Sequence, residues 1–194
     1  MDKLNRDELY SLEKYAKIRD EFRARVMAHK KNRQLAIGPH ATLYFEDRLT
    51  MQYQVQEMLR AERIFEAAGI EEELAVYNSL IPDGSNWKAT FMLEYTDVEE
   101  RKVALASLCG VEKQLWMRVN GLAPVTPIAD EDLERENGGK TSSVHFLRFE
   151  LTGDMVAALK RGASVAAGSS HPFYDFTVDP IPGNIRRSLF NDLD

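Results

Sequence analysis

The sequence predicts an α+β protein, with N-terminal helices packed on a mixed or mostly antiparallel sheet built from two β-α-β-like units. Three observations carry this reading. Apolar residues recur every three to four positions through much of the first 80 residues, the period of an amphipathic helix. After the turn Pro82-Asp83-Gly84 they alternate with polar residues instead, the period of a strand. That alternation comes in two strand–helix–strand blocks of similar size, ferredoxin-like in outline. A length of 194 residues, 44% hydrophobic and 29% charged, suits a single domain over 1–194. Within it, 1–80 is mainly helical with a short β-hairpin, and 81–194 is β-rich.

Asn5 followed three residues later by Glu8 is a capping signal. Leu9, Leu12, Tyr15, Ile18, Phe22 and Val26 then follow at helical spacing, to about Lys30. The basic end (Arg23, Arg25, His29, Lys30, Lys31, Arg33) reads as solvated cations complementing the helix dipole, with an anion site as the alternative. A short strand over 34–37 and the turn Gly38-Pro39 lead into residues 41–46. There Ala41, Leu43 and Phe45 share one face, and His40, Thr42, Tyr44 and Glu46 the other. Asp47 caps a helix over 48–68. On a helical wheel Gln52, Gln56, Arg60 and Arg63 form a narrow water-facing arc. Gln54, Glu57 and Glu62 fall on the buried side with Met51, Val55 and Met58. Buried carboxylates need partners, and Arg48 is the expected one. Gly69 is the expected stop, with a second short helix over 70–77.

Residues 88–95 read as a strand, Thr96 and Glu99 as a capping box for a helix over 97–109, and 114–119 as the next strand. The pattern returns in a strand over 143–151, a helix over 154–161 capped by Thr152 and stopped by Gly162, and a strand over 163–167. An additional strand over 123–128 and an acidic loop over 130–139 lie between the two units. An edge strand over 174–178 follows, among prolines that central strands exclude. The last dozen residues form a short docked helix or fray.

A net charge of −6 disfavours a general nucleic-acid surface. Cys109 is the one cysteine, so this chain alone builds no disulfide, zinc knuckle or iron–sulfur site. With no secretory signal and no apolar run near the ~20 residues of a membrane helix, the expected setting is cytoplasmic, away from membranes. There is no GxSxG elbow, GxGxxG fingerprint or complete Walker loop. Gly138-Gly139-Lys140-Thr141 holds a fragment of the last and reads as a hairpin connection.

The histidines are His29, His40, His145 and His171, with no HxxxH or ExxH pair to place two ligands on one helical face. A metal site would therefore be assembled from separate segments, as His145 and His171 with one of His40, Glu46 or Glu62, for iron, zinc or manganese. A ligand pocket would draw on the inward polar residues Arg48, Tyr53, Gln54, Glu57 and Glu62, with Tyr174 of the tail. The competing reading of the same residues is a buried structural network that fixes how the helix docks.

Four segments resemble an uncharacterised bacterial family, domain of unknown function three-five-zero-one. They are FEDRLTMQYQVQEMLRAERIF (45–65), LIPDGSNWKATFMLEY (80–95), VHFLRFEL (144–151) and HPFY (171–174). The resemblance spans most of the chain and implies no established activity. Members of the family are often encoded near rubrerythrin-like and iron–sulfur proteins. That implies a redox or peroxide-stress setting and a partner of that kind; a homo-oligomer is also compatible. The expected function is a non-catalytic accessory protein that binds a partner or small ligand. The alternative is a metal-dependent enzyme with a histidine/carboxylate site.

Overall fold

A computed structural model describes residues 2–132, 135 and 139–194. Part of the acidic loop over 130–139, and Gly138 of the Walker-like fragment, lie outside the described residues. In chain order the elements are α1 (Leu12–Lys30), β1 (Gln34–Ile37), β2 (Ala41–Phe45), α2 (Arg48–Glu62), α3 (Ala67–Asn78), β3 (Asn86–Leu93) and α4 (Val98–Ser107). They continue as β4 (Leu115–Val119), β5 (Ile128–Ala129), β6 (Val144–Glu150), α5 (Gly153–Lys160), β7 (Val165–His171), β8 (Tyr174–Val178) and α6 (Gly183–Phe190). No helix among the described residues is long and apolar enough to cross a membrane.

Strand alternation sorts the side chains onto two facing sheets. One has the order β1-β2-β3-β6-β5, the other β4-β7-β8, and every pairing is antiparallel. Leu43, Phe45, Phe91 and Phe149 of the first sheet and Leu115, Met117, Val165 and Ala167 of the second share one buried cluster. Both expected β-α-β units exist, but neither keeps its two strands in one sheet. Each begins in the five-stranded sheet, as β3 or β6, and crosses through its helix to the three-stranded one, as β4 or β7. Like strands then pair, β3 with β6 and β4 with β7. The protein is α+β with antiparallel sheets, as the sequence predicts; the ferredoxin-like outline gives way to a two-sheet sandwich.

The helical layer also departs from the wheel. Helix α2 ends at Glu62, six residues early. Arg63 takes the left-handed conformation (φ 57°), the Ile64 N–H reaches Leu59 O at 3.0 Å, and Ile64 packs against the cluster holding Leu59. This is a Schellman stop made with arginine in the place glycine usually takes. Gly69 is not a stop but sits inside α3, where a Cβ would come within 2.8 Å of Ile64 Cγ2.

Glu62 is exposed, and Gln56, assigned to water, is fully buried. Gln56 Oε1 accepts the Tyr10 N–H (2.6 Å) and its Nε2 donates to Tyr10 O (3.2 Å), while Gln52 Nε2 donates to Glu8 O (2.9 Å). The N-terminal half of the arc read as solvent-facing, Gln52 and Gln56, is where the N-terminal segment lies, while Arg60 and Arg63 are exposed as expected.

Three smaller differences follow local chemistry. Asp97, not Thr96, caps α4, by accepting the Glu100 N–H at 2.8 Å. The strand expected over 123–128 shrinks to the two residues of β5 and a single bridge between Val125 and Met117. Strand β7 starts later and runs longer than expected, to His171.

Gln56→Ala is expected to destabilise by about 2 kcal/mol, because the Tyr10 backbone groups lose their buried partner. Glu62→Ala should stay within about 0.5 kcal/mol. Denaturant unfolding of both variants checks the order, and the reverse order would refute the assignment. Arg63→Gly is expected to stabilise by about 0.5–1 kcal/mol through relief of the left-handed backbone, read as a higher denaturation midpoint.

Candidate functional site

The register places Tyr44, Thr90 and Phe146 side by side across β2, β3 and β6 on the face turned away from the sandwich core; Met92 lies two residues along β3. This row floors a cleft of about 640 Å³. Its walls are Met27, Lys30 and Lys31 from the end of α1, Met51 and Gln54 from α2, and Tyr77 and Leu80 from the end of α3 and beyond. Gln34 and Glu46 complete the lining. A neighbouring cavity of about 620 Å³ shares Tyr77, Leu80 and Phe146 and runs on to Lys88, Glu131 and Arg148. The size and largely apolar lining, with a few convergent polar groups, are those of a small-molecule site.

The polar centre of the cleft is Glu46, 6% exposed. Its Oε1 accepts the Thr90 hydroxyl and its Oε2 the Thr50 hydroxyl, both at 2.7 Å. Among the described residues, none of the ion pairs within 4.0 Å involves its carboxylate. Burial raises the Tyr44 phenol above its usual range, with the Glu94 carboxylate acting in the same direction; burial likewise raises Tyr77 and lowers Lys88.

Glu46 is held in place from behind by Arg33, which is 2% exposed. Its Nε donates to Phe45 O (3.0 Å), and Nη2 donates to Glu46 O (3.0 Å) and Asp192 Oδ2 (2.6 Å). Nη1 donates to Ser188 O (3.3 Å) and Oγ (3.1 Å). Asp47 Oδ2 lies 3.4 Å from Arg33 Nε and 2.5 Å from His29 Nε2. Burial pushes the Asp192 carboxyl up to about 6, outweighing the pull of Arg33. Burial also acts to raise Asp47, but the His29 hydrogen bond and the Arg33 charge outweigh it and leave Asp47 below its usual range. The sequence reading had His29 and Arg33 as solvated cations; both instead form buried or half-buried pairs. The spacing of Arg33 and Asp192, 159 residues apart, offered no local signal.

Of the residues expected in a ligand site, Gln54 lines the cleft. Glu57 is committed elsewhere. It pairs bidentately with Arg19 (2.8 and 2.7 Å) and accepts the Tyr15 hydroxyl (2.6 Å), and the Arg19 hydrogen bond leads in holding its carboxyl below the usual range. Arg48 bonds Glu8, not Glu57 or Glu62. Tyr53 packs on Phe22, with ring centroids 6.2 Å apart. The Tyr174 hydroxyl donates to Ile37 O (2.7 Å) and accepts the His40 N–H (2.9 Å), clamping the turn between β1 and β2.

The residues of the expected metal set each have separate surroundings. His40 stacks on Tyr95 at 4.2 Å. His171 Nδ1 accepts the Phe173 N–H, and its Nε2 faces Cys109 O, each at 3.3 Å. His145 is buried, with Nδ1 2.6 Å from Asp130 Oδ2 and Nε2 2.9 Å from Thr141 Oγ1. Glu62 is exposed. Among the described residues, no group of three or more His, Cys, Asp or Glu side chains is arranged to hold a metal ion.

Thr141, His145 and Asp130 stand in the order of a nucleophile, a base and an orienting acid. Thr141, however, is 2% exposed, and Asp130 also accepts the Phe146 N–H and the Arg135 Nε–H, both at 3.0 Å. The relay has no exposed nucleophile and acts as a clamp between the segment after β5 and strand β6.

A family model described as "Protein of unknown function (DUF3501)" matches residues 3–193. No curated protein matches the chain. Among solved structures, a crystal structure of a novel protein of unknown function from Burkholderia pseudomallei is 50% identical, with each chain covered in full and a TM-score of 0.94.

The Asp192 shift predicts a pH effect of defined sign. Its folded value, about 6, lies above the ordinary 3.8, so between these the folded state holds the extra proton. Stability from this group therefore falls as pH rises through that window. Relative to Asp192→Asn, which has no such proton, the wild type should gain stability as pH drops from about 7 to about 4. Denaturant midpoints of both proteins across that range check it, and a flat difference would refute it.

Proposed function

Because the chain belongs to the DUF3501 family over nearly its whole length, no inherited activity guides the reading of its site, and we propose that it is a non-catalytic accessory protein binding a small ligand in the cleft between its helices and its five-stranded sheet. The observation that carries this is the cleft itself: about 640 Å³, walled by Met27, Met51, Met92, Leu80 and Phe146, with Glu46 and Gln54 converging on it. Methionine suits such a wall, since its unbranched, polarizable side chain adapts to ligand shape. Binding is favoured over chemistry because the protons of the two nearest hydroxyls, Thr50 and Thr90, are already donated to Glu46. A partner of the rubrerythrin-like or iron–sulfur kind, in a redox-stress setting, is the second half of the proposal and rests on the family resemblance alone.

A neutral solvatochromic dye, Nile red, tests the cleft without favouring either charge. The wild type is expected to bind it with saturable, one-to-one fluorescence enhancement. Met92→Trp, which fills the floor, should weaken binding by about tenfold or more while the thermal midpoint stays near that of the wild type. Undiminished binding to a folded Met92→Trp protein would overturn the assignment.

A further inference from the structure

The lining of the cleft also bears on which ligand enters it, an inference that rests on the cleft being a ligand site. The reasoning starts with the carboxylate of Glu46. An ionised carboxylate has about four lone-pair positions, and Thr50 and Thr90 each occupy one. Both donors are neutral, so they solvate the charge without balancing it.

Arg33, which grips the backbone of the same residue, has nothing left to give. Its five N–H groups go to Phe45 O, Glu46 O, Asp192 Oδ2 and the two oxygens of Ser188. His29 is taken by Asp47. Lys30 and Lys31 line the cleft, yet neither forms an ion pair within 4.0 Å among the described residues. Glu46 is 6% exposed and, among the described residues, its carboxylate has no cation within 4.0 Å, an arrangement that protein interiors disfavour unless a charge is supplied to it.

The surrounding walls suit that missing charge. Tyr44 and Tyr77 bring aromatic rings to the same space, and a ring face attracts a cation; the Phe146 ring already has the Arg135 guanidinium over it, 4.7 Å from its centroid. The thioethers of Met27, Met51 and Met92 offer polarizable contact to an alkyl or aryl body. We propose that the cleft takes a small organic ammonium: a protonated amine on an apolar body, its nitrogen on the Glu46 carboxylate among the aromatic rings, and the body along the methionine wall. Lys30 and Lys31, which line the same cleft, are the internal competitors for that carboxylate.

Competition against bound Nile red at pH 7 separates this from the simpler reading. The probes are 2-phenylethylamine and 2-phenylethanol, which match in shape and differ in charge. The amine is expected to displace the dye at a concentration about tenfold or more below the alcohol, the advantage of a charge-assisted hydrogen bond. Glu46→Gln should bring the ratio of amine to alcohol to about one, whatever happens to absolute affinity. Lys30→Met with Lys31→Met should widen the ratio by removing the competitors. Equal displacement by amine and alcohol in the wild type, with dye binding intact, would overturn the ammonium inference and leave the cleft standing. A ratio that persists in folded Glu46→Gln would overturn the role of Glu46. Absence of dye binding, or its indifference to Met92→Trp, would remove the cleft and with it this inference.

Discussion

The fork of Arg33 is the interaction on which the architecture turns. It stands just past the end of α1, bonds the backbone at the end of β2, and reaches a helix contributed by the last residues of the chain. Its neighbour Asp47 caps α2 through the Thr50 N–H. One guanidinium thereby sets where the first helix stops, how the second helix leaves the sheet, and where α6 docks. Five donors meeting five acceptors explain how so large a cation is tolerated inside the protein. The same bonds fix the backbone of Glu46, so the geometry of the cleft floor derives from them.

Much of the fold was legible because local signals agreed with tertiary context. The alternation in β2, β3 and β6, and the caps at Asp47 and Thr152, lie where the sequence places them, whereas Asn5 caps only the single 3₁₀ turn Arg6–Glu8 and Ser11 caps α1. What failed in α2 shares a cause. The α2 wheel assumes that a polar arc faces water, but glutamine serves equally well where a neighbouring segment has backbone groups to satisfy. Gln56 does this for Tyr10. Periodicity measures polarity and says nothing about which partner supplies it. The end of α2 was hidden for a related reason: Arg63 carries no helix-stop signal, and only the docking of Ile64 beside Leu59 favours its left-handed turn.

The candidate site was less legible than the fold. Gln54 was readable as an inward polar residue, whereas Glu46 looked like one member of an alternating outer face. Its importance depends on helices packing over that face and on both threonines turning toward it. Thr50 is only four residues from Glu46, but Thr90 and the covering helices are distant in sequence and leave no local mark. Of the other expected ligands, Glu57, Arg48 and Tyr174 each tie one segment of chain to another, Tyr53 packs on Phe22, and Glu62 is exposed.

The crossing of both β-α-β units between sheets has a consequence for how the chain acquires its structure during synthesis. Strand β4 meets its only named partner strand, β7, some 50 residues later, and β3 waits as long for β6. A nascent chain that has emerged only through β4 holds β1, β2 and β3 of the facing sheet, but β4 has no strand beside it within its own sheet. Local hairpins such as β1–β2 form early, but closure of the sandwich belongs to sequence-distant contacts, which are slow to make. The three-stranded sheet therefore depends on a contact between distant stretches of chain, whereas β1, β2 and β3 pair in the order in which they are made.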